Sequence, residues 1–323
     1  MTGPALGNQD ETRGFYVPHK AFEFTAFNTI NTVVMYGEDD FAAAFEAVQA
    51  AASHYERLFS HTDPNSALSQ FNRLGGKPED LDPELGELID LALAYSTATE
   101  GAFDPAYGCL NGETPPYPDS QLGEVPPITS LGGIAKGYIA DALCDLLKRH
   151  GVEHGFVNLG GNVKVFGGKP MPGAASSDGR PSESSFFTKD SGVRAQPFTI
   201  GLRVPKKLSF GEDCFATVQL AEGAVVTSGI YERGTRAPDG TWHHHIIDPR
   251  TGRSAETDLV SASVICESAL EADAIATALI VMGFKRAQEF IEHVSSCEAV
   301  FVTNDGTVVP TSNVGSKVPF TLL

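Results

Sequence analysis

Apolar and polar positions along the chain follow two rhythms. FEFTAFNTINTVVMYG alternates residue by residue and ends on glycine, which predicts a half-buried strand. EDDFAAAFEAVQAAASHYERLFS places its apolar residues at helical spacing, with acidic residues at its start where the helix dipole favours them. Further helices are predicted inside HTDPNSALSQFNRLGG and over PELGELIDLALAYSTATEG, LGGIAKGYIADALCDLLKRHG, ALEADAIATALIVMG and FKRAQEFIEHV. GFVNLGGNVKVFGG reads as two strands around a tight turn. PFTIGLRVP, FATVQLAEGAVVTSG and WHHHIIDP read as strands, and AVFVTNDGTVVP as a terminal hairpin turning at Asp-Gly. Helices interspersed with hairpin-like strands predict an α+β fold with a largely antiparallel sheet. Residues 168–197 are rich in Pro, Gly and Ser with little periodicity; strand patterns resume directly after them, so they read as an insertion or flap. The expected organisation is a polar tail over 1–20 and one domain over 21–323.

Composition narrows the partners. Among 323 residues, 41 acidic against 23 basic side chains give a formal charge of −18, which argues against non-specific nucleic-acid or anionic-membrane binding. An anionic small ligand held by a local site remains compatible with that charge. Five cysteines, Cys109, Cys144, Cys214, Cys266 and Cys297, show no paired spacing, and read as reduced thiols rather than a disulfide framework or a zinc site. No apolar run approaches the roughly 20 residues that span a bilayer, and MTGPALGNQDETRGF lacks the basic start and apolar run of a leader. The expected location is the cytoplasm.

Four stretches could carry chemistry. In LGGIAKGYIAD, Gly132, Gly133 and Gly137 let backbone approach a ligand, the following helix offers free N–H groups, and Lys136 could reach a phosphate. The alternative is a tight turn into an amphipathic helix. VNLGGNV, Val157 to Val163, permits close ligand approach but reads more simply as a hairpin turn. In EADAIATALIVMG, Asp273 and Thr277 share one helical face; a carboxylate and a hydroxyl one turn apart suit Mg2+, or else cap and bond locally. On a strand through HHHIIDPRTG, His243 and His245 would share one face and His244 the other, and a catalytic histidine is as plausible there as a metal ligand.

Taken together and in this order, FDPAYGCL, LGGIAKGYIAD, VNLGGNV, VVTSGIYER, HHHIIDPRTG and ADAIATALIVMG resemble the ApbE family of FAD:protein FMN transferases, with weaker similarity in FNTINTVVMYG and DPNSALSQFNR. The resemblance covers Phe22 to the C-terminus. It implies a two-lobed, T-fold-like architecture with an FAD cleft between the lobes. It also implies Mg2+-dependent transfer of FMN from FAD to a Thr or Ser hydroxyl of an acceptor flavoprotein through a phosphoester bond, with release of AMP. Chemically this is phosphoryl transfer at a pyrophosphate, governed by positioning and charge neutralisation. The matching positions assign Ala135, Asp273 and Thr277 to Mg2+, and Ala102, Phe103, Asp104, Lys136, Ser228, Gly229 and Ile246 to FAD. His245 is assigned to activation of the acceptor hydroxyl, leaving His243 and His244 as bystanders. The chain departs from the family pattern at Ser130, where Asp is common, at Ile230, where TSGDYE has a carboxylate, and at Thr62, where some members have Tyr. Losing the two carboxylates would favour a flavin carrier, an FAD pyrophosphatase releasing FMN and AMP, or a different acceptor.

Overall fold

The first alternating segment folds as a hairpin, β1 (His19–Ala26) and β2 (Thr29–Tyr36), rather than as one strand. Phe27 and Asn28 each hold a φ of 56° in its two-residue turn, the left-handed geometry of a type I′ turn, which Asn tolerates. The protein is described by a computed structural model over residues 17–73, 81–105, 130–171, 195–205, 213–232, 234–236, 242–294 and 296–323. The hairpin starts a sheet that continues through β3 (His154–Leu159), β4 (Asn162–Phe166), β9 (Gly223–Gly229), β14 (Leu259–Cys266), β15 (Cys297–Thr303) and β16 (Val308–Pro310). These eight strands run in the order β1-β2-β3-β4-β9-β14-β15-β16, with every ladder antiparallel. A second sheet pairs β7 (Phe198–Arg203) and β17 (Phe320–Leu322) on either side of β8 (Cys214–Leu220). Three short ribbons complete the strands: β5 (Lys169–Pro170) with β6 (Ala195–Gln196), β10 (Gly234–Arg236) with β11 (Trp242–His244), and β12 (Ile247–Asp248) with β13 (Arg253–Ser254).

The helices fall on the segments with helical periodicity: α1 (Ala42–Phe59), α2 (Ala67–Arg73), α3 (Pro83–Ala98), α4 (Ala135–Arg149), α5 (Ala269–Met282) and α6 (Phe284–His293). The acidic residues expected in the first turn of α1 lie before it instead; Phe41 opens the helix, and Asp40 Oδ1 accepts the Ala42 N–H at 3.0 Å. Of the expected 168–197 insertion, residues 172–194 lie outside the described residues, as do residues 1–16 of the expected tail. No helix among the described residues is long and apolar enough to cross a membrane.

Strand alternation builds a core on each face of the large sheet. Ala224 and Val226 of β9, Ala262 and Val264 of β14, and Ala299 and Phe301 of β15 face the helices. Val225, Val260, Ile265, Val300 and Val302 face the smaller sheet, against Phe198, Ile200, Phe215 and Val218. β14 was not anticipated from the sequence: its eight residues are all buried, so LVSASVIC lacks the polar alternation of a one-sided strand. Within the helix layer α4 buries Ile139, Leu143 and Leu147, one turn apart, each fully enclosed side chain contributing about 1.5–3 kcal/mol.

Helices α4 and α5 cap one another. Asp141 of α4 accepts from Ala269 N–H at 3.1 Å, Leu270 N–H at 3.0 Å and Ser268 Oγ at 2.9 Å at the start of α5, and pairs with Lys164 at 3.0 Å. In return Asp273 of α5 accepts the Gly137 N–H in the first turn of α4 at 2.9 Å. The two helices approach so closely that a Cβ on Gly137 would lie 2.2 Å from the Ala269 carbonyl oxygen. Gly137 therefore serves helix packing rather than the close ligand approach expected of it.

Candidate functional site

The start of α4 opens onto a cleft of about 820 Å³, continuous with solvent, at one end of the large sheet. Its walls bring together Gly132, Gly133 and Lys136 before and within α4, Asp273 and Thr277 of α5, Thr227, Ser228 and Gly229 of β9, and His245 and Ile246 beyond β11. A smaller hollow of about 280 Å³ is lined by Ala102, Phe103, Asp104, Ile247 and Pro249, and shares Gly133, Ile246 and Thr277 with the first. The two are halves of one groove. Gly133 sits at their junction: a Cβ there would approach Thr277 Oγ1 to 3.1 Å and Phe103 Cε2 to 3.2 Å. The residues that the family resemblance assigned to the site line this groove except Ala135, the first residue of α4, which lines neither half; Gly137, expected to approach a ligand, lines neither half as well.

Asp273 is 3% exposed. One of its oxygens holds the Gly137 N–H, and the other has no hydrogen-bond partner among the described residues. One turn along α5, Thr277 Oγ1 lies 3.4 Å from Ser228 Oγ. A buried carboxylate with one uncommitted oxygen, beside two hydroxyls, is an all-oxygen donor set that fits a hard cation such as Mg2+. The local alternative for Asp273 holds, since it accepts from the first turn of α4, and the same side chain lines the cleft. Lys136 Nζ donates to Asn162 Oδ1 at 2.9 Å, while Asn162 Nδ2, itself buried, finds no acceptor among the described residues. Hence the ammonium is steered along the cleft wall by the asparagine that follows the Gly160–Gly161 turn.

The three histidines separate. The strand ends at His244, so the expected alternation through His245 is not realised; the chain bends there and pairs again as β12. His243 is exposed. His244 is buried, with Nε2 at 3.0 Å from the Ala255 carbonyl and Nδ1 accepting the Ile246 N–H at 3.3 Å, a pattern that fixes the neutral Nε2–H tautomer. Burial pulls its pKa below the usual histidine value, against the raising effect of the Ala255 hydrogen bond. His245 alone faces the cleft. The turn after it is held by Asp248, which receives Arg250 Nε at 3.0 Å and Nη2 at 2.8 Å. Burial alone would raise the Asp248 pKa, but the Arg250 fork outweighs it and lowers it.

Other cleft residues were not singled out from the sequence: Asn28 and Thr29 at the β1–β2 turn, His61 and Glu232. The two hairpin tips touch, since a Cβ on Gly160, at φ 60°, would lie 2.7 Å from Thr29 Oγ1. VNLGGNV is thus a hairpin turn, as its simpler reading held, that also forms cleft wall. At the positions that depart from the family pattern, Ile230 packs on the apolar core and Glu232, two residues on, brings a carboxylate to the cleft. Ser130 is buried, with its N–H bonded to the Pro105 carbonyl at 2.6 Å. His61 rather than its neighbour Thr62 lines the cleft; Thr62 Oγ1 lies 3.2 Å from Ser60 Oγ.

The ApbE family matches the chain over residues 27–113 and 129–301. The FAD:protein FMN transferase of Treponema pallidum is 28% identical over 312 residues, covering 85% of this chain and 81% of that protein. A FAD:protein FMN transferase of Klebsiella pneumoniae is 31% identical over 182 residues, 56% of this chain and 48% of its own length. Among solved structures, the ApbE protein of Thermotoga maritima superposes with a TM-score of 0.73 at 25% identity, covering 92% of this chain and 98% of that one. The flavin transferase ApbE of Vibrio cholerae gives a TM-score of 0.69 at 21% identity, covering 92% and 98%. The α+β fold with its antiparallel sheet flanked by helices is the fold of these proteins.

Proposed function

The chain belongs to the ApbE family, and from that premise we propose that it transfers FMN from FAD to a Thr or Ser hydroxyl of an acceptor flavoprotein, releasing AMP. The observation that carries this reading is the convergence of Asp273, Thr277, Lys136, Ser228 and His245 on one cleft. Ala102, Phe103, Asp104 and Ile246 would grip FAD in the narrower half of the groove, and Ser228 and Gly229 would approach it with hydroxyl and backbone. Lys136, fixed by Asn162, would lie against the phosphates. Asp273 and Thr277, with the Ala135 backbone, would hold Mg2+, which when bound neutralises charge building on the pyrophosphate. His245 would take the proton from the acceptor hydroxyl as its oxygen bonds to the FMN phosphorus. The bond between the FMN phosphorus and the bridging oxygen would break, and AMP would leave with that oxygen.

The test is incubation of the full chain with FAD, Mg2+ and an FMN-binding acceptor domain carrying the modifiable Thr or Ser. Intact-mass spectrometry and AMP chromatography are run in parallel. One FMN added per acceptor with equimolar AMP is the expected result. AMP without modification would replace the transferase by an FAD pyrophosphatase, and tight FAD binding with no AMP would replace it by a flavin carrier.

A further inference from the structure

Two cysteines that are far apart in the sequence face each other across the β14–β15 ladder. Cys266 and Cys297 are direct cross-strand partners at one end of that pair, 5% and 3% exposed, and their Sγ atoms lie 2.8 Å apart. Glu271, in the first turn of α5, brings Oε2 to 3.2 Å from Cys266 Sγ, and the exposed Ser296 hydroxyl bonds to its other oxygen at 2.9 Å. The three ligand-capable atoms all fall within 4.8 Å of one another. No Lys, Arg or His forms an ion pair with Glu271 among the described residues.

We propose that Cys266, Cys297 and Glu271 form a binding site for a thiophilic divalent cation of the Zn2+ type, separate from the cleft. Two sulfurs and one carboxylate oxygen are three of the four donors of a tetrahedral zinc centre. Water, reaching in past Ser296, supplies the fourth. Tetrahedral ligation at zinc–sulfur distances near 2.3 Å sets thiolates about 3.8 Å apart, so the pair must open by roughly 1 Å, within reach of a side-chain rotation. The cation would displace both thiol protons, its two charges offset by the two thiolates it creates, so the carboxylate remains the site's net charge. Without it, the hydrogen bond to Cys297, then burial and the nearby Glu271, hold the Cys266 thiol far above its ordinary pKa. The same three groups, after burial, push the phenol of Tyr95 upward from the α3 side.

Position separates this site from the cleft. Cys266 pairs with Ala224, four residues along β9 from Ser228, roughly 13 Å at the rise of a strand. Glu271 and Asp273 are two residues apart on α5, about 200° around its axis. The donors separate the sites as well: the oxygen set at Asp273, Thr277 and Ser228 suits Mg2+, whereas two sulfurs select Zn2+ or Co2+ over Mg2+. A bound cation would tie β14, β15 and the start of α5 together.

The probe is Co2+ added to the full chain reduced with a phosphine. One equivalent should raise a thiolate-to-cobalt charge-transfer band in the near ultraviolet, removed by Zn2+ and untouched by excess Mg2+. Cys297→Ser, with one thiolate left, should lose about half or more of the band's intensity and bind at least about tenfold more weakly, and Glu271→Gln should weaken binding roughly 10–100-fold while keeping the full sulfur band. Cys214→Ser, elsewhere in the fold, should behave as the wild type. The proposal is overturned if no charge-transfer band develops in the reduced wild type, or if Cys297→Ser binds Co2+ as tightly with the same band. A thiol count showing that the phosphine-reduced chain still holds Cys266–Cys297 as a disulfide also overturns it. Because the wild-type spectrum and Glu271→Gln carry the test on their own, an unstable Cys297→Ser does not blunt it. None of these readings depends on flavin transfer.

Discussion

Gly137→Ala isolates the contact on which the helix pair depends. The added Cβ would lie 2.2 Å from the Ala269 carbonyl oxygen, and 2.7 Å from both the Ala269 carbonyl carbon and Leu270 Cα. All three are backbone atoms of α5, so no side chain can swing aside and the helices must separate. Alanine's better helix propensity returns at most about 1 kcal/mol, while overpacking of this kind costs 1–3 kcal/mol or more. The net expectation is a loss of roughly 2 kcal/mol, or about 3 °C in the thermal midpoint for a domain of this size. Gly86→Ala on α3 is the matched control: a Cβ there meets nothing within 4 Å, so the propensity gain should appear undiminished as a slight rise. Scanning calorimetry of both variants against the parent measures the difference. Separating the helices also stretches the Asp273–Gly137 hydrogen bond, so FAD turnover should fall at temperatures where the variant is still folded. A Gly137→Ala midpoint equal to that of the parent would refute the close-packing argument, and unchanged turnover would refute the coupling to Asp273.

Other substitutions separate roles within the site. Asp273→Asn keeps an acceptor for the Gly137 N–H but loses the charge, so it should fold normally and drop Mg2+-dependent AMP release by roughly two orders of magnitude; wild-type rates would remove Asp273 from the cation site. His245→Ala should retain FAD affinity by equilibrium dialysis and lose about 10²–10⁴-fold in transfer rate, as expected for a missing general base; lowered affinity with an unchanged saturated rate would reverse that assignment. Asp141→Ala removes three hydrogen bonds at the start of α5 and the Lys164 pair, and should cost about 2–4 kcal/mol in denaturant unfolding. His244 has a folded-state pKa below its unfolded value, so the unfolded chain binds the extra proton and stability falls as pH drops below about 6.5, by up to about 1.4 kcal/mol per unit. His244→Gln should flatten that part of the thermal midpoint against pH; an unchanged slope would place the acid sensitivity elsewhere.

The helices were legible because each carries a one-sided apolar stripe or clear stop signals, such as Gly151 at φ 82° after α4. β14 was not, because a strand covered on both faces has no alternation to read, and its Ser261 and Ser263 break the apolar run. The hairpin in residues 19–36 was hidden for a different reason: its turn is Phe-Asn, without the glycine that usually marks such a bend. Motif order picked out side chains that the fold brings together, since Asp273, Thr277, Lys136, Ser228 and His245 all line the cleft. Motif order gave no view of Asn28, His61 or Glu232, whose places depend on how the hairpin tips and loops meet. The pairing of Cys266 with Cys297 was equally invisible, because strand register rather than linear spacing places them side by side.

The mutual capping of α4 and α5 bears on how a cation would be received. A solvated aspartate must give up rotational freedom when it ligates a metal, and that loss subtracts from affinity. Asp273 has surrendered it already at folding, because the Gly137 N–H pins one oxygen and leaves the other aimed into the cleft. A ligand held in this way would be preorganised, its entropy spent when the two helices docked. Anything that loosens the α4–α5 contact would therefore act as a remote control on the proposed cation affinity, without touching a single donor atom.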